Sequence, residues 1–131
     1  MIINNALLDS LTEQAKANPR LRQSFDLRNS PDDESQRMLN AIEPGSEMPI
    51  HRHQHTSETV VCLRGCLIEE FFDELERICT DRIELTPNGP VMAVNVPGGQ
   101  GTGTEVNPNC WTVKQSLRIR EPACTGQVTY H

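Results

Sequence analysis

At 131 residues the chain has the length of one domain, enough for a single hydrophobic core and too short for two. Its 36% hydrophobic and 23% charged residues exclude a disordered chain. A net charge of −6 with no lysine or arginine block excludes binding to a phosphate backbone or an anionic membrane surface.

The opening residues MIINNALLDS lack a charged n-region and a long apolar h-region, and no run approaches the ~18 apolar residues of a membrane span. Cys62, Cys66, Cys79, Cys110 and Cys124 form an odd set without finger or scaffold spacing, which fits reduced thiols. Together these features predict a cytoplasmic protein. Asn4 and Asn5 are helix caps, and Leu7, Leu8, Leu11 and Ala15 recur at helical spacing until Asn18-Pro19 stops them. One amphipathic helix is therefore expected first. Arg20, Arg22, Arg28 and Asn29 read as a loop whose arginines either pair with the abundant acids or face an anionic ligand, and residues 30–33 read as a turn.

Short strands follow at regular intervals: residues 36–43, 58–63, 66–72, 77–85 and 91–96. Arg64-Gly65, the segment from Asp73 and the Pro87-Asn88-Gly89-Pro90 cluster punctuate them. Residues 110–117, CWTVKQSL, have the character of a further strand, whereas residues 118–131 show little periodicity and predict no element. Many short strands with regular turns predict an all-β barrel or sandwich.

The chemistry concentrates in residues 45–65, GSEMPIHRHQHTSETVVCLRG. His51 and His53 are two apart, so in a strand their imidazoles leave the same face and can share one ion. Glu58 follows a polar turn that lets the chain fold back and bring a carboxylate to that ion. Two imidazoles and one carboxylate suit Zn, Fe, Mn or Ni with positions left open, which favours a reactive metal over a structural one. His55 is a further candidate ligand, or else a histidine at the rim of the site.

Gly45, His51, His53, Glu58 and Gly65 stand at the spacing of the first conserved motif of the cupins, which this stretch resembles at every fixed position. The flanking text, LRQSFDLRNSPDDESQRMLNAIEPGS and RGCLIEEFFDE, resembles WbuC-type cupin metalloproteins of bacterial surface-polysaccharide gene clusters, over roughly residues 6–100. The resemblance implies an all-β, cupin-type antiparallel jelly-roll barrel with a short N-terminal helix. Residues 1–131 then form one domain, with a helix and arm over 1–35, a barrel over 36–117 and a tail over 118–131. It also implies a divalent metal held by His51, His53 and Glu58, a small polar ligand such as a sugar or sugar nucleotide, and a homodimer. The second cupin motif departs from the pattern. Pro97-Gly98-Gly99-Gln100-Gly101-Thr102 keeps the proline and glycine but places Thr102 where a fourth ligand, a histidine, belongs. Two functions stand open: a metal-dependent isomerase, epimerase or dioxygenase, or a degenerate cupin that binds a ligand or partner without catalysis.

Other residues have plainer readings. Cys62 is expected to be buried as a small apolar group and Cys66 to lie at the surface. Trp111 is expected to pack in the last strand rather than line a sugar pocket. The acidic residues 69–76 can bind a cation, but a solvated loop at a hairpin tip is the expectation and no site is assigned there.

Overall fold

The computed structural model describes residues 1–46, 56–72, 79–96, 112–116 and 127–130. Among these residues one helix, α1 (Asn5–Ala17), is followed by eight strands: β1 (Arg22–Asp26), β2 (Arg37–Ile42), β3 (Glu58–Cys62), β4 (Leu67–Phe72), β5 (Cys79–Leu85), β6 (Ala93–Val96), β7 (Thr112–Ser116) and β8 (Gln127–Tyr130). The strands form two sheets, in the orders β1-β2-β8-β3-β6 and β5-β4-β7. Every strand pair is antiparallel.

The helix begins as its caps dictate. Asn4 is extended and its side-chain oxygen accepts from the Leu7 N–H at 3.0 Å, while at the other end the Asn18 N–H donates to the Ala15 carbonyl. Leu8, Leu11 and Ala15 line one buried stripe and pack on Leu39 and Ala41 of β2, joined by Phe25 of β1 and Val61 of β3. Period two puts the alternate residues of these strands on the other face. There Val60 and Cys62 of β3 meet Leu67 of β4 and Leu85 of β5, and Phe71 of β4 meets Val96 of β6. The five-stranded sheet thus carries the helix on one face and the three-stranded sheet on the other. Leu39, Val60 and Leu85 are wholly buried at the centres of these contacts.

Two strands lie where the sequence predicts none. The arginine-rich stretch read as a loop contains β1, which pairs with β2 from Arg22↔Ile42 to Asp26↔Met38 and packs Phe25 under the helix. The stretch read as an unstructured tail contains β8, inserted between β2 and β3. The Arg64-Gly65 turn joins strands of different sheets, so the chain passes there from one layer to the other. Arg64 ties this passage to the helix, its Nη1 donating to Asp9 Oδ1 at 2.7 Å and its Nη2 to the Asn5 side-chain and backbone oxygens at 3.0 and 3.2 Å.

Glu43, directly after β2, is only 6% exposed, and its Oε1 is buried with no hydrogen-bond partner among the described residues. Burial raises its pKa, which Lys16 opposes and Glu13 reinforces. No described helix is long and apolar enough to cross a membrane.

Candidate metal centre

The stretch that would hold the metal is entered through a braced turn. Leu21 is held at a positive φ of 55°, a strained value for a residue with a side chain, and its carbonyl accepts from the Glu43 N–H at 2.8 Å. Gly45 follows at φ 89°, and a Cβ there would meet Leu21 Cδ1 at 3.3 Å. Both backbone conformation and packing therefore call for glycine at this position. The Ser46 hydroxyl donates to the Arg20 carbonyl at 3.1 Å and fastens the same turn. The second motif glycine, Gly65, is also at positive φ, 71°.

Among the expected ligands, Glu58 is described; His51, His53 and His55 lie outside the described residues, as does Thr102. Glu58 opens β3 and is 5% exposed. It shares the inward row with Val60 and Cys62, and its register partner on β6 is Val96, which packs on Phe71 of the facing sheet. A buried carboxylate at the start of a strand is of the donor type that divalent cations take. Its neighbours upstream in sequence are the three histidines, so the donor types suit the ion expected from the motif. Among the described residues alone, no three His, Cys, Asp or Glu side chains group closely enough to hold a metal.

The structure corrects two readings of single residues. Cys66, expected at the surface, is 7% exposed and packs with Val60, Cys62, Leu67 and Leu85, because the passage between sheets carries it into the core. Cys62 is buried as expected, its Sγ 3.2 Å from the Arg64 carbonyl, and Cys62 and Cys66 form no disulfide. The acidic run expected as a solvated loop begins inside β4, where Glu69 is wholly buried and Glu70 faces Arg82 at 3.4 Å. The signal was present in LIEEFF, since strict alternation from Leu67 to Phe71 sets Glu69 in their row. Trp111 lies outside the described residues.

Of the arginines offered as an anion site, Arg28 is engaged by the last residue of β1, its Nε and Nη2 donating to the Asp26 carboxylate at 3.0 and 2.8 Å. These bonds hold the Asp26 pKa below its ordinary value. Ion pairing accounts for Arg28 without an anionic ligand.

Two antiparallel sheets with one helix packed outside them define a mainly β fold. The chain belongs to the family described as a domain of unknown function (DUF6016), whose model matches residues 3–85, from α1 through β5. Two solved structures are similar. BH2720 from Bacillus halodurans superposes with a TM-score of 0.50 at 13% identity, over 98% of this chain and 80% of its own, and the fold the two share is cupin-like. Peruvianin-I, a cysteine peptidase from Thevetia peruviana latex, superposes with a TM-score of 0.56 at 10% identity over 83% of this chain. The chain spans 60% of the length of peruvianin-I. At such identities the likeness is one of fold and carries no chemistry with it. No curated protein matches the chain.

Proposed function

We infer that this protein binds a divalent metal ion through His51, His53 and Glu58, with His55 as the nearest additional imidazole, inside a jelly-roll barrel closed by its two sheets. The observation that carries the reading is the burial of Glu58 on the inner face of β3, at the end of the segment that holds the histidines. The ion is Zn, Fe, Mn or Ni by the donor types. When bound it supplies Lewis acidity to polarise a carbonyl or lower the pKa of water. The resemblance to WbuC-type proteins points the activity at a small polar metabolite, a sugar or sugar nucleotide of bacterial surface-polysaccharide synthesis, in a cytoplasmic homodimer. An isomerase, an epimerase and a dioxygenase all remain compatible with this ligand set.

A second reading is favoured by Thr102. With a hydroxyl where the family's second motif has an imidazole, the protein is a degenerate cupin that binds a ligand or partner without catalysis. Elemental analysis of protein purified without chelator or added metal separates the two. Stoichiometric transition metal supports the metalloprotein, and a metal-free preparation that also fails to take up added zinc or manganese rejects it.

A further inference from the structure

We propose that β6 is the interface between two copies of this chain, its open edge pairing antiparallel with β6 of the second copy about a two-fold axis through Val94; the inference rests on the homodimer named above and not on the metal. Among the described residues, β1 and β6 end the larger sheet and β5 and β7 the smaller. An open edge is a template for another strand, and proteins guard theirs with charge. Strand β1 carries Arg22 and Asp26, β5 carries Asp81, Arg82 and Glu84, and β7 carries Lys114. By contrast β6 has no charged residue, nor does any stand between Pro90 and Pro97. Val91, Met92, Ala93 and Asn95 are nonetheless exposed.

The backbone of β6 is self-complementary. The Cys62 N–H donates to the Met92 carbonyl at 3.0 Å, which fixes the phase of the β3–β6 ladder. Val94 and Val96, in step with Met92, face β3 opposite Val60 and Glu58, so Ala93 and Asn95 turn their N–H and C=O groups to the open side. A two-fold axis through Val94 sets Ala93 opposite Asn95 of the second copy and Asn95 opposite its Ala93. Each of these pairs can then exchange both backbone bonds, and the contact closes at two copies.

Charge and apolar surface name a second copy as the occupant. Two chains of net charge −6 repel, and they approach at least cost where neither bears a charge. A ladder as short as β6 falls below the ~800 Å² that each partner buries in a stable interface, so apolar side chains must widen it. Among the described residues the exposed large hydrophobics are Met1, Ile2, Ile3, Val91 and Met92. Met92 continues the row of Val94 and Val96 on the inner face. On the other face α1 packs over β1 and β2 while Asn5 at its start is bonded by Arg64, just beyond β3, which puts Met1 to Ile3 toward the β6 side of the sheet. The joint therefore has apolar cover on both faces.

Sedimentation of the parent, Ala93→Pro and Met92→Asp in reductant at micromolar concentrations tests the surface, with the far-UV spectrum of each as the check on folding. Ala93→Pro removes an N–H that points away from β3, so it keeps the β3–β6 ladder and deletes half the bonds of the joint. The parent is expected to be a dimer, and both variants to dimerise at least roughly tenfold more weakly with the parent's spectrum. In the parent, the Ala93 and Asn95 amides should exchange slowly with solvent as a dimer and faster after dilution to monomer, a readout that holds even where a variant fails to fold. A dimer that both variants retain, or amides at these two positions that exchange alike before and after dilution, would place the contact elsewhere, overturning the role of β6 and leaving the homodimer standing. Assembly beyond two copies would overturn the closed two-fold pairing. A parent that stays monomeric removes the homodimer and this inference together.

Discussion

Glu43→Gln should stabilise the protein at neutral pH and leave it unchanged in acid. The Glu43 carboxylate is 6% exposed, its buried Oε1 has no partner among the described residues, and burial raises its pKa in the folded state. A group whose folded pKa lies above its unfolded value of ~4.3 favours folding most below that value, and this contribution is lost as pH rises through the folded pKa. Glutamine carries no charge to desolvate, so the advantage of the variant opens from about pH 4.3 upward and levels off once Glu43 is ionised in both states. An unsatisfied buried acceptor costs ~1–3 kcal/mol, and more if charged. Because the glutamine amide must also find partners, we expect a net gain of about 1 kcal/mol at pH 7.5, or about 4 °C in melting temperature for a domain of this size. Scanning calorimetry of both proteins in chelator at pH 4 and pH 7.5 measures the difference. A gap that does not widen with pH, or a variant less stable at pH 7.5, would mean that attraction to Lys16 outweighs desolvation and that the reasoning is wrong.

Three more outcomes are expected. Imidazoles coordinate only when deprotonated, so metal affinity should fall as pH drops through and below ~6.5, and equal affinities at acidic and neutral pH by titration calorimetry would exclude His51 and His53 as ligands. Thr102→His should tighten zinc and manganese, with His53→Ala as the variant that loses them; no change in the first beside loss in the second would show that residue 102 does not reach the site. Leu39→Ala, at a wholly buried position under α1, should cost ~2–5 kcal/mol, read as a lower urea midpoint at unchanged slope.

Local signals made much of the fold legible. An asparagine cap, a leucine stripe and Asn18-Pro19 were enough to place α1, and turn residues punctuate β2 through β6. The misses share one cause. RQSFD and QVTY are short and weakly patterned, and each is a strand through its partners: β1 through β2 and the helix above Phe25, β8 through β2 and β3 on either side. Composition misled at Glu69, where the density of acids suggested a loop although the alternation around it placed it inward. It misled again at Cys66, whose burial follows from the chain changing sheets. In the candidate site, the inward place of Glu58 was readable from its even offset to Val60 and Cys62, whereas His51, His53 and His55 lie outside the described residues.

The place of β8 has a consequence for the order of events during synthesis. β2 and β3 flank it and are joined through it, yet it is made about 90 residues after β2. A ribosome at ~5–20 residues per second spends several seconds or more between them, during which β2 and β3 each present an open hydrogen-bonding edge. The helix can dock on β1 and β2 in that interval, but the larger sheet cannot be joined. A nascent chain arrested before Gln127 should therefore be recognised by chaperones and proteases as unfinished, even with every histidine of the 51–55 cluster and Glu58 already translated.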